Sequence, residues 1–76
     1  MAEHLYKVVE LIGSSNESFE KAAAAAVEAA ALHLKDLRIA EVVSLDMQVT
    51  DGKVSSYRAK VKLSFKYHPE VHGLGA

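Results

Sequence analysis

Four basic side chains at even-numbered positions near the end of the sequence form its most distinctive charge pattern: Arg58, Lys60, Lys62 and Lys66. Side chains with this spacing share one face of a strand. Such a face can hold the phosphate groups of a nucleotide cofactor or of a nucleic acid. We favour a third interpretation, a solvated face partly neutralised by Asp46 and by acids from a neighbouring subunit. None of the four positions is aromatic, which counts against nucleic acid because base stacking requires aromatic rings.

No arrangement of residues typical of catalysis can be recognised in the sequence. The chain has no cysteine, which excludes disulfides, thiol catalysis and Cys-ligated zinc. Ser14 and Ser15 are interpreted as helix-capping residues rather than nucleophiles. Glu10 and Glu41 lie among apolar neighbours in predicted strands, where an ion pair with a strand Lys or Arg is the expected role. We therefore predict that the protein is not an enzyme.

Two histidines near the C-terminus, His68 and His72, have a spacing that would place both imidazoles on one face of a helix. Pro69 and the glycines that follow argue against a helix there. We interpret these histidines as solvated. Residues 1–67 are predicted to form one domain, and residues 68–76 a mobile C-terminal tail.

The composition indicates one small domain that is too short to bury enough apolar surface on its own. The chain has 76 residues and net charge −1, which weighs against sequence-independent attraction to DNA or RNA. No apolar run approaches the roughly 20 residues that cross a bilayer, and the first residues do not resemble a secretion signal. We expect a soluble, cytoplasmic protein with no membrane partner.

Half of the residues are hydrophobic, but twelve of these are alanine. Small domains without disulfides or metal often oligomerise, so we infer that part of the apolar content forms subunit contacts.

The first half of the sequence predicts a strand followed by a helix. Residues 5–12 are apolar on both faces, as in a strand covered on both sides. Ser14 and Glu17 have the spacing of a capping box, and the helix is expected to run to about Leu34. Its apolar face recurs at steps of three and four residues: Phe19, Ala23, Ala26, Ala30, Leu34 and Leu37. The many alanines favour a slim helix around which a sheet can curl.

The second half predicts two long strands, residues 38–50 and 53–67, joined at the Asp51-Gly52 hairpin signal. Alternation places Val43, Leu45, Met47 and Val49 on one face of the first strand, with Val42, Ser44 and Asp46 opposite. We predict a three-residue loop with a bulge, because this register pairs Leu45 with Ala59 and sets Asp46 beside Arg58. The same register puts Ile39 and Arg58 on opposite faces.

Three segments of the sequence form a pattern when taken in order. They are Tyr6-Lys7-Val8-Val9-Glu10-Leu11-Ile12-Gly13-Ser14-Ser15, then Leu37-Arg38-Ile39-Ala40-Glu41-Val42, then Gly52-Lys53-Val54 with Tyr57, Val61, Leu63 and Phe65. Together they resemble the dodecin family. The likeness covers about residues 5–67. It implies an α+β fold, a β-α-β-β protomer whose three-stranded antiparallel sheet curls around one helix, assembled into a hollow homododecamer.

The resemblance also implies a binding function. Flavin-binding dodecins store riboflavin or its nucleotides and stack the flavin rings in pairs against a tryptophan, with a contact from a glutamine. Ile39 stands at the tryptophan position of this family and Arg58 at the glutamine position. Losing an aromatic platform removes ~1–3 kcal/mol per ring, by analogy with base stacking. Arg58 brings a charge that suits a phosphorylated ligand or pairs with Asp46.

The sequence is similar to a tryptophan-lacking branch of dodecins, with Asp46-Met47 on the second strand, and one line of this branch is associated with calcium. Asp46 and Ser44 could offer oxygen ligands, and symmetry could multiply them, since Ca²⁺ takes six to eight oxygens. Three functions stay open. The first is sequestration of a small molecule or ion by a homododecamer. The second is retained flavin (riboflavin or FMN) binding, with Ile39 as an aliphatic wall and Arg58 as a phosphate contact. The third is a structural shell or a partner-binding protein.

Overall fold

A computed structural model describes residues 5–67 of the chain. The elements follow in the order β1 (Tyr6–Ser15), α1 (Phe19–Ala31), β2 (Leu37–Thr50) and β3 (Lys53–Lys66). The three strands form one antiparallel sheet in the order β1-β3-β2. This architecture confirms the predicted β-α-β-β protomer. The predicted tail and its two histidines lie outside the described residues.

The connection from β1 to α1 differs from the predicted capping box. β1 continues three residues beyond its predicted end, because Gly13, Ser14 and Ser15 pair with β3. Ser14 therefore belongs to the sheet. The helix cap is Ser18, whose hydroxyl accepts a hydrogen bond from the backbone N–H of Lys21 at 3.0 Å. The Ser15 hydroxyl accepts from the backbone N–H of Glu17 at 3.0 Å and so closes the turn before the cap.

A row of alanines brings α1 into close contact with the sheet. Ala22, Ala26 and Ala30 are buried at four-residue spacing, and Ala26 and Ala30 pack on Val61 and Leu63 of β3. The helix ends at Ala31, three residues before its predicted end. Leu34 still donates its backbone N–H to the carbonyl of Ala30 at 2.9 Å, and its side chain packs against the core.

The hairpin between β2 and β3 has the predicted register but not the predicted loop. Asp51 (φ 53°) and Gly52 (φ 76°) form a two-residue turn, because both adopt the left-handed conformation that such a turn needs. The extra residue is Ser55, which bulges from β3 because Gln48 pairs with Ser56 while Val49 pairs with Val54. This bulge restores the predicted pairing of Leu45 with Ala59.

Two further bulges on β2, at Arg38 and Val43, change which face its side chains occupy. We call the side of the sheet that carries buried Ala59, Val61, Leu63 and Phe65 the inner face, since it packs against α1, and the other side the outer face. Val42 lies opposite Val61 on the inner face, whereas Ser44 lies opposite Lys60 on the outer face. The prediction that Val42 and Ser44 share a face was wrong, because a bulge shifts the alternation by one residue.

The inner face of the hairpin extends beyond the helix. Phe19, at the start of α1, packs edge-on against Tyr57 with ring centroids 5.1 Å apart. Along the inner face of the hairpin, from the level of Ala59 to the turn, four apolar side chains are 46% to 62% exposed: Leu45, Met47, Val49 and Val54. We call these four residues the hairpin apolar strip.

Candidate functional site

The outer face brings charged residues of all three strands together. Arg58 lies opposite Asp46 of β2, and its Nε donates to Oδ1 at 2.7 Å while its Nη2 donates to Oδ2 at 3.0 Å. The hydrogen bonds from Arg58, together with its charge and that of Lys60, lower the pKa of Asp46 below its ordinary value. The same pair raises the pKa of Arg58. The predicted contact between Asp46 and Arg58 is therefore present within one protomer.

The remaining basic residues of β3 differ in their neighbours. Lys62 lies between Glu10 of β1 and Glu41 of β2, with its Nζ 4.0 Å from Oε2 of Glu10. Lys60 lies opposite Ile12 and Ser44, neither of which carries a charge. The ion pairs of Arg58 and Lys62 agree with the interpretation favoured from the sequence, in which the basic face is partly neutralised.

A groove of about 490 Å³ opens at the other end of the outer face. We call it the Ile39 groove; its walls are Tyr6, Arg38, Ile39, Ser64 and Lys66. Pairing explains how they meet, because Tyr6 lies opposite Lys66 and Ile39 opposite Ser64, while Arg38 is the bulged residue next to Ile39. Ile39 and Tyr6 are 64% and 57% exposed. The groove thus combines an aromatic ring, an aliphatic surface and two cations.

The structure brings Ile39 and Arg58 to one face but not to one pocket. Their predicted placement on opposite faces was wrong, because the bulge at Val43 turns Ile39 outward. Ile39 pairs with Ser64, which is six residues from Arg58 along β3, a separation of roughly 20 Å. Within one protomer, a single small ligand cannot contact both side chains.

The predicted calcium ligands Ser44 and Asp46 lie on the same face, about 7 Å apart along β2. Both carboxylate oxygens of Asp46 accept hydrogen bonds from Arg58, and Lys60 lies opposite Ser44. In the described part of the chain, no three His, Asp or Glu side chains cluster as metal ligands would. Ca²⁺ requires several oxygens free of competing cations, so this position does not fit calcium within one protomer.

A second concave surface, of about 460 Å³, lies on the inner face between the start of the helix and β2. It is lined by Phe19, Glu20, Ala23, Val42 and Leu45. Leu45 also belongs to the hairpin apolar strip, so the two surfaces are continuous. Among the described residues, no helix has the length and apolar composition needed to cross a membrane.

Sequence reasoning did not single out Tyr6, Arg38 or Ser64 as site residues. The signal for them is the pairing of β1 with β3, since this pairing sets Tyr6 beside Lys66 and places both near Ile39. The residue pattern of β1 does not by itself show which strand it pairs with. The two basic side chains of the groove also come from different strands, so the alternating pattern on β3 revealed only Lys66.

Comparison with known proteins gives the same family at the level of sequence and of structure. The family model described as Dodecin matches residues 5–68. The calcium dodecin of Mycobacterium tuberculosis (strain ATCC 25618 / H37Rv) is 43% identical over 65 residues, which are 86% of this chain and 92% of that protein. The structure of dodecin from Streptomyces coelicolor superposes with a TM-score of 0.83 at 32% identity, covering 90% of this chain and 97% of that one. The crystal structure of a calcium dodecin from M. tuberculosis, described as having a novel calcium-binding site, has a TM-score of 0.76 at 45% identity, with coverage of 86% and 93%.

Proposed function

Because the chain belongs to the dodecin family and to its calcium-dodecin-like branch, we propose that it is a homododecameric protein that binds and sequesters a flat, anionic small molecule and catalyses no reaction. Small-ligand binding is the function common to this family. The ligand that suits the site is FMN, the phosphorylated form of the flavin. The observation that carries this proposal is the Ile39 groove, where an aromatic ring, an aliphatic side chain and two cations meet.

The groove supports FMN rather than riboflavin because of its charge. Arg38 and Lys66 can each donate charge-assisted hydrogen bonds to a phosphate, which riboflavin lacks. Ile39 occupies the family's stacking position and supplies an apolar wall, and the exposed Tyr6 ring is the aromatic surface of the groove. Arg58 is a poor phosphate contact for this groove, since it lies roughly 20 Å away along β3 and is already paired with Asp46.

Self-assembly is supported by the hairpin apolar strip. These four side chains are about half exposed in the protomer. Contiguous apolar surface of this kind marks a protein interface. A second copy of the chain is the partner that the family resemblance supplies, and the number twelve comes from that resemblance alone.

The FMN proposal is tested by fluorescence titration of FMN and of riboflavin with purified protein. We expect quenching of FMN at micromolar protein, weaker quenching of riboflavin, and loss of FMN affinity with rising salt as the phosphate contacts are screened. Lys66→Ala should weaken FMN binding roughly fivefold and leave riboflavin unchanged. Lys60→Ala is the matched control, because Lys60 lies on the same strand and face but outside the groove. Unchanged FMN fluorescence at micromolar protein would contradict the proposal.

Calcium is the second candidate ligand, because a relative with 43% identity is a calcium dodecin. The position predicted from the sequence, Asp46 with Ser44, does not suit calcium, because both carboxylate oxygens of Asp46 accept hydrogen bonds from Arg58. Calcium binding by this chain would therefore use other oxygens. A calcium-dependent rise in melting temperature supports this candidate, and an unchanged melting temperature at millimolar calcium counts against it.

A further inference from the structure

The pairing of β2 with β3 places Asp46 and Arg58 opposite each other and so positions their ion pair. The two residues are direct partners across β2 and β3, between the pairs Leu45–Ala59 and Met47–Tyr57. Each carboxylate oxygen receives its own N–H from the guanidinium, at 2.7 and 3.0 Å. This two-point geometry is the strong form of an arginine–carboxylate pair.

The surroundings of the pair disfavour a cation. Lys60, one step along the outer face, also acts on Asp46 through its charge. Two positive charges therefore face one carboxylate, and the neighbouring Ser44 contributes only a hydroxyl. A divalent ion at Asp46 would have to displace the guanidinium and then remain beside two cations, whose repulsion it would feel at close range.

We infer that Arg58 acts as a built-in counter-ion that excludes divalent cations from Asp46, so that any calcium bound by this chain is held by other oxygens. Arg58 is then a specificity-determining residue of the outer face. The inference bears on the calcium candidate of the proposed function and is independent of FMN binding at the Ile39 groove.

The test is a calorimetric titration of Ca²⁺ into the assembled wild type, Asp46→Asn, Arg58→Gln and the double variant Arg58→Gln/Asp46→Asn. We expect Asp46→Asn to leave the response of the wild type to Ca²⁺ unchanged. Arg58→Gln should raise the Ca²⁺ affinity by at least about threefold, and the double variant should lose that gain, because it depends on a freed Asp46 carboxylate. Arg58→Lys is the matched control, since it keeps the positive charge but loses the two-point geometry, and it should give a smaller gain than Arg58→Gln.

Two results overturn the inference: a loss of wild-type Ca²⁺ binding in Asp46→Asn, or an Arg58→Gln protein that binds Ca²⁺ no better than the wild type. Light scattering and thermal melts of each variant establish that assembly is retained. A wild type that binds no Ca²⁺ removes the calcium candidate, yet the comparison of Arg58→Gln with the double variant still decides the role of Arg58. The FMN titration of the wild type is a separate measurement, so failure of the main proposal is distinguishable from failure of this one.

Discussion

Replacing Gly13 with alanine should strongly destabilise the protein, because β1 and α1 touch at this point. A Cβ at Gly13 would collide with the backbone carbonyl of Ala22 and lie 3.1 Å from the Cβ of Ala26. Both alanines are buried. The carbonyl belongs to the helix backbone, so a side-chain rotation cannot relieve the collision and the helix must move away from the sheet.

The size of the effect follows from the cost of overpacking a core, ~1–3 kcal/mol, and a collision with backbone belongs at the upper end. For a domain of this length, ~3 kcal/mol lowers the melting temperature by roughly 12–24 °C. The assay is a thermal melt at fixed protein concentration, because assembly makes the melting temperature concentration-dependent.

Gly52→Ala is the matched control for Gly13→Ala. A Cβ at Gly52 meets no atom within 4 Å, and its cost comes only from the positive φ of 76°, which is about 1 kcal/mol. We therefore expect a smaller loss, roughly 4–8 °C. Ala26→Gly should not rescue Gly13→Ala, since it removes the contact with the methyl group but leaves the carbonyl in place. A Gly13→Ala protein that melts at or above the temperature of Gly52→Ala would refute the reasoning.

Two further predictions concern the charges and the hairpin. Because Arg58 lowers the pKa of Asp46 from its ordinary 3.8, the stability that this pair contributes is present above pH 3.8 and is lost as the pH falls through the lower folded-state value. The difference in melting temperature between the wild type and Asp46→Asn should therefore be present at pH 7 and shrink below about pH 3.8; a difference that persists at pH 2 would contradict this origin. Met47→Asp should shift light scattering from the oligomer to smaller species by placing a charge in the hairpin apolar strip. Gln48→Glu adds the same charge on the outer face and should leave assembly intact, and a fully assembled Met47→Asp protein would exclude this strip as an interface.

The faces of β3 and the main register of the hairpin could be predicted from the sequence. The alternation from Tyr57 to Phe65 is uninterrupted, and only one register sets Leu45 opposite Ala59 and Asp46 opposite Arg58. Local pattern was sufficient there, because each strand's own periodicity determines which residues face the core.

The bulges and the helix cap could not be predicted in the same way. Ser14, Ser15 and Ser18 are all chemically suited to cap a helix. The choice among them depends on how far β1 pairs with β3, which is a long-range property. The segment around Val43 reads as regular strand, so its sequence does not mark the bulge. This single residue determines whether Ile39 faces the core or the groove.

The bulge at Val43 thus places Ile39 and Leu45, on either side of it along β2, on opposite faces of the sheet. On its C-terminal side, Leu45, Met47 and Val49 continue the inner face into the hairpin apolar strip, where a second copy of the chain can cover them. On its N-terminal side, Ile39 turns to the outer face and joins the cations of the groove. Without the bulge, Ile39 would share the face of Leu45 and point toward the helix, and the groove would lose its apolar wall. Ile39, which the resemblance places at the family's stacking position, is therefore exposed by an irregularity of β2.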